Sequence, residues 1–66
     1  MTSTQFRAAL DRLALSQRGA ARLFGADERT ARRWALGERP IPSTVAILLR
    51  LMVAGKLIPK DIEEAR

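Results

Sequence analysis

The chain has no cysteine, no histidine and no tyrosine in its 66 residues. Without cysteine there is no disulfide framework, and without cysteine or histidine the customary zinc ligands are missing. The commonest general base and the best thiol nucleophile go with them. Seven acidic residues remain, scattered and with no pair set on an obvious cleft, so no enzyme, no metal site and no cofactor are expected. A long hydrophobic run is lacking too. The most apolar stretch, 45–54, is broken by Arg50 and is shorter than the ~20 residues a membrane span needs. The first seven residues carry no apolar signal segment, and a cytoplasmic location is expected.

Length sets a further limit. At ~100–200 residues per domain the chain is one small domain, 1–66. A chain of this size hides only about 60% of the surface it exposes when unfolded, and small domains usually add disulfides, a metal or a partner subunit. With the first two devices excluded, association with a second chain is expected.

What is present in excess is arginine. Twelve Lys and Arg against seven Asp and Glu leave a net charge of +5, and ten of the twelve cations are Arg. The planar guanidinium suits bidentate recognition of phosphate or guanine better than lysine's point charge does. A nucleic acid is therefore the first partner to consider, with a solvated basic surface as the plain alternative.

Apolar periodicity and capping residues divide the chain into helices. Phe6, Ala9, Leu10 and Leu13 mark an amphipathic helix over about 4–13, with Thr2 and Gln5 spaced as a capping box. Ser16 caps a second helix, about 17–24, whose Ala20, Ala21, Leu23 and Phe24 share one side. Gly19 inside it is unfavourable, and close approach of another backbone is one reason for a glycine there. Gly25 ends this helix and Asp27 caps a third, from Glu28 to Leu36, stopped by Gly37. The loop 37–42 holds two prolines. Ser43 is expected to cap a fourth helix, about 44–54, and Pro59 suits the first position of a last one, about 59–65. Leu57, Ile58 and Ile62 are expected to fold back on the fourth helix.

The third helix is the most informative. At 100° per residue, Glu28, Arg29, Arg32, Arg33 and Leu36 fall within an arc of roughly 140°, while Thr30, Ala31 and Trp34 face the other way. One face is rich in guanidinium and the other carries the only tryptophan. The fourth helix differs: Val45, Ile47, Leu48, Leu49, Leu51, Met52 and Val53 surround it almost completely, so it should be buried on more than one side.

A helix, a three-residue turn and a second helix, with small residues at 21, 26 and 31 where the two must touch, read as a helix-turn-helix over about 16–37. An ordinary helical hairpin is the alternative. The residues Leu15-Ser16-Gln17, Ala20-Ala21, Leu23 to Asp27, Thr30 to Trp34 and Gly37 to Pro42 together resemble the Cro/C1 (Xre-type) repressor family. Its very short members include regulators encoded beside anti-CRISPR genes. Gly19, Ala35 (where members often carry Glu) and Leu36 depart from the pattern.

The resemblance implies an all-α, lambda-repressor-like domain of four or five helices that binds double-stranded DNA as a homodimer on an inverted repeat. It places the third helix in the major groove. Glu28, Arg29, Arg32 and Arg33 are then the base-contact candidates, with Arg29 and Arg33 able to fork onto guanine. Glu28 has two roles open: accepting from cytosine N4, or pairing at i,i+4 with Arg32. Ser16, Gln17, Arg18, Thr30 and Arg39 are the phosphate candidates. Gln17 resembles the family's phosphate-clamping glutamine, while Arg18, Thr30 and Arg39 are expected along one edge. Thr30 has a second role open, facing inward to satisfy a backbone carbonyl. Arg7, Arg12, Arg22, Lys56 and Lys60 are read as solvated.

The segment 43–66 is expected to join the subunits through Val45, Leu48, Leu49, Met52, Leu57 and Ile58. Repression by occupying a promoter needs no effector domain. Other functions stay open: a protein-interaction or antitoxin-like module using helix 44–54, and RNA binding. Against RNA, Phe6, Phe24 and Trp34 all lie on expected core faces, which leaves no stacking platform.

Overall fold

The structure, a computed structural model, describes residues 1–65. It contains five helices and, among the described residues, no strand: α1 (Ser3–Arg12), α2 (Gln17–Phe24), α3 (Glu28–Leu36), α4 (Ser43–Val53) and α5 (Pro59–Ala65). None is long and apolar enough to cross a membrane.

Local chemistry accounts for the starts. The Thr2 hydroxyl accepts from the Gln5 N–H at 3.1 Å, and the Gln5 side chain accepts from the Thr2 N–H at 2.9 Å, completing the capping box of α1. Ser16 Oγ accepts from the Gly19 N–H at 2.9 Å, and Asp27 Oδ1 from the Thr30 N–H at 2.7 Å. Each satisfies a donor that a helix N-terminus leaves unpaired. Ser43 is a correction. It lies inside the first turn of α4, and Pro42 holds the cap position without a side-chain hydrogen bond. The Pro42 carbonyl still takes the first helical bond, from the Ala46 N–H at 3.1 Å. A proline has the fixed φ the position accepts and no N–H to leave unpaired.

The first four helices end alike, and one does so without glycine. After α2, Gly25 has φ +71° and the Ala26 N–H reaches back to the Ala21 carbonyl at 2.9 Å. Glycine tolerates that left-handed turn because it has no Cβ to clash. The same backward bond follows α3 and α4, from Glu38 to Arg33 and from Lys56 to Leu51. After α1 the Leu15 N–H reaches the Leu10 carbonyl at 2.9 Å, but the left-handed residue is Ala14, at φ 54°.

All five helices contribute to one core. Phe6, Ala9 and Leu10 come from α1, Ala20, Ala21 and Leu23 from α2, Ala31, Trp34 and Ala35 from α3, Val45, Leu49 and Met52 from α4, and Ile62 from α5. Phe6 and Trp34 meet edge to face, with ring centres 5.9 Å apart and planes at 80°. This is a favourable arrangement of the ring quadrupoles. Among the described residues no polar or charged residue is buried. α3 lies between α1 and α2, α4 packs on α1, and α5 rests chiefly on α2.

That last contact corrects a second expectation in part: Ile62 does lie beside Val45 and Leu48 of α4, but α2 is the main support of α5. Of Leu57, Ile58 and Ile62, only Ile62 is buried, while Leu57 is half-buried and Ile58 is 55% exposed. The Ile58 N–H is taken by the Asp61 carboxylate at 3.0 Å, so Ile58 stands at the start of α5. A residue at that point lies outside the regular helix, and its side chain is not carried onto the packed face.

Candidate nucleic-acid interface

The outward side of α3 is built by its inward side. Ala31 and Ala35 are fully buried and Trp34 is 5% exposed, so the rotation of α3 about its axis is set by large contacts with α1 and α2. Glu28, Arg29, Arg32, Arg33 and Leu36 are consequently all exposed. Thr30 is half-buried at the boundary. Arg32 and Arg33 have no side-chain hydrogen bond or ion pair among the described residues.

Asp27 sits at the start of the same helix. The Thr30 backbone N–H holds its carboxyl below the usual carboxylate range, and the Thr30 hydroxyl and the Arg29 guanidinium add to this. A negative charge there also complements the helix dipole.

Glu28 does not pair with Arg32. Its Oε1 accepts instead from Nε of Arg18, the second residue of α2. The i,i+4 geometry was available, but a cation from the neighbouring helix takes the carboxylate instead. The contact puts the start of α2, which carries Ser16, Gln17 and Arg18, within side-chain reach of Glu28. The Ser16 oxygen is already used as a cap acceptor, while its O–H remains a donor. The N–H groups of Gln17 and Arg18 are the first two of α2, which have no partner within the helix.

Arg39 is exposed but lies in the loop beyond the C-terminus of α3. At 1.5 Å per residue that end is about 12 Å along the helix axis from Glu28. Arg18 and Arg39 therefore stand at opposite ends of α3 and do not share an edge.

Arg7 is exposed, as expected, but its guanidinium is also engaged within the chain. Its Nη1 donates to the Ala35 carbonyl, and its Nη2 lies 3.4 Å from the Thr4 hydroxyl. Ala35 is in the last turn of α3, where carbonyls lack helical partners and a cation is favourable. Arg7 thus holds α1 to the end of α3. A contact spanning 28 positions leaves no local mark in a sequence. Gly19 also has an explanation other than a neighbouring backbone: a Cβ there would lie 3.2 Å from Ser16 Oγ and 3.6 Å from Leu15 Cδ2. A side chain would crowd the cap of α2.

The expected subunit contacts divide. Val45, Leu49 and Met52 are spent in the core of their own chain, so they have no surface to offer a partner, and Leu48 is half-buried. The apolar residues of α4 that remain outside are Ile47, 54% exposed, and Leu51, 37% exposed. They are one turn apart on the side opposite Leu49. The helix is apolar all round, as read, but its inner half is satisfied within one chain.

Neither a family model, nor a curated protein, nor a solved structure matches the chain.

Proposed function

We propose that the chain is a sequence-specific double-stranded DNA-binding regulator in which α2 and α3 form a helix-turn-helix and α3 enters the major groove. The carrying observation is the division of α3: a tryptophan face locked in the core and an outward arc with three guanidinium groups. A rigid rod bearing forked donors matches the width of the major groove and the paired acceptors of guanine. Arg29 and Arg33 read bases, with Arg32 between them. Gln17 and the start of α2 grip a phosphate of the flanking backbone. Thr30 and Arg39 are further phosphate candidates, one at the edge of the arc and one beyond the helix end.

The protein acts as a homodimer on an inverted repeat, joined through the outward face of α4 at Ile47 and Leu51 with help from Ile58. Two exposed aliphatic side chains on one short helix in so small a chain support this. Occupying a promoter, and so repressing it, requires nothing beyond the interface itself.

DNase footprinting on the DNA upstream of its own gene tests the reading. A protected inverted repeat with half-sites about 34 Å apart is expected. If each subunit meets ~3–4 phosphates, log K against log salt falls with a slope of about −5 to −7 for the dimer. A slope near zero rejects the arginine arc as the contact surface. Sedimentation of the pure protein tests the dimer. A monomer at micromolar concentration that captures a foreign chain through Ile47 and Leu51 would favour an interaction module instead.

A further inference from the structure

The contact between Arg18 and Glu28 is hard to explain by stability. Both side chains are exposed, 66% and 51%, and exposed ion pairs stabilise little. Its position is more telling. Glu28 is the first residue of α3 and lies on the same outward arc as the three arginines. An unpaired carboxylate there would repel the phosphates of any duplex the arc approached. Arg18 cancels that charge through Nε alone. Glu28 Oε2 is left as an acceptor, and both terminal amino groups of Arg18 are left as donors.

Resting on the DNA-binding reading above, we propose that Arg18 is a positioning residue for Glu28, and that Glu28 Oε2 reads one cytosine at the operator base pair facing the start of α3. The choice of base follows from the groove's chemistry. A carboxylate only accepts, and cytosine N4 and adenine N6 are the donors offered in the major groove. Adenine carries its N7 acceptor beside that donor, while guanine and thymine present acceptors that repel the oxygen. Cytosine is the one base that meets a carboxylate without an opposing lone pair. Arg18 holds the carboxylate's other oxygen, fixes its rotamer, and turns its free amino groups toward the adjoining phosphate.

The test uses the full chain and a duplex selected by it from a randomised library. Affinity is then measured for all four base pairs at every position of the half-site, for the wild type, Arg18→Ala and Glu28→Gln. Circular dichroism shows that each variant retains its helices. The wild type should prefer cytosine by roughly tenfold at one position. Glu28→Gln should move that preference to adenine, which glutamine can bind at N6 and N7 together. Arg18→Ala should lower the cytosine preference below about twofold while leaving preferences elsewhere intact, an effect that loss of a phosphate contact alone does not produce.

If Arg18→Ala weakens binding evenly over all base pairs, or if no cytosine preference depends on Glu28, the inference fails and the regulator reading stands. If the chain selects no duplex at all, both fail together.

Discussion

α3 and α4 each give one side to the same core and differ in what they show outside. The inner side of α3 is Ala31, Trp34 and Ala35, and that of α4 is Val45, Ala46, Leu49 and Met52. Outside, α3 carries three arginines and α4 carries Ile47 and Leu51. The comparison teaches that what a helix buries and what it exposes are separable. Matching inner faces fix two rods in place and leave the outer faces to differ, one cationic and the other aliphatic.

The largest effect should come from the inner side. Trp34→Ala removes the residue that sets the rotation of α3 and should cost about 3–5 kcal/mol. A chain of this length holds only about 3–10 kcal/mol in total. Urea unfolding followed by circular dichroism should find this variant largely unfolded. Arg33→Ala, its direct neighbour, should stay within about 0.5 kcal/mol of the wild type while losing about 1–3 kcal/mol of affinity for the selected duplex. If both substitutions damage folding equally, the division of α3 into two faces is wrong.

On α4 the same contrast is made with one substitution. Leu51→Glu should leave the monomer folded and weaken self-association by at least about 1 kcal/mol, because a charge replaces the apolar surface that Leu51 leaves outside. Equilibrium sedimentation reads this directly. A variant that unfolds instead of dissociating would show that the outer face is part of the monomer's stability.

Smaller effects concern how α3 is held. Arg7→Gln removes a charged donor from the end of α3 and should cost about 1–2 kcal/mol, measured by the same urea titration. Ala14→Gly should stabilise the protein by up to about 1 kcal/mol, because the residue already occupies a left-handed turn that a Cβ disfavours. At the other end of α3, Asp27 contributes a pH dependence. Its carboxyl is held below the usual range, so its contribution is complete above the unfolded value of about 3.9 and is lost as pH falls through the lower folded value. Asp27→Asn keeps a good cap and should remove that part of the acid sensitivity in a pH series of melts.

Much of this was legible before any coordinates. Thr2, Ser16 and Asp27 cap where their hydroxyls and carboxylate are needed, and Gly25 and Gly37 end helices. Such signals act within three or four residues, so a sequence carries them whole. Ala14 was invisible for the converse reason, since its turn is imposed by the neighbouring helices on a residue that would not choose it. The arc on α3 was legible because 100° per residue is a property of the backbone, and one tryptophan among arginines fixes which side is inward.

The rest depended on which helix meets which. Almost the whole circumference of α4 looked apolar in the sequence, and only packing on α1 and the shared core showed that Val45, Leu49 and Met52 go inside and Ile47 and Leu51 stay out. Arg7 on Ala35 and Arg18 on Glu28 join residues 28 and 10 positions apart, and α5 settles chiefly on α2. Periodicity and capping are local energies, decided by neighbours along the chain. Contacts between helices depend on the angles at which whole rods cross, and those angles belong to the folded molecule alone.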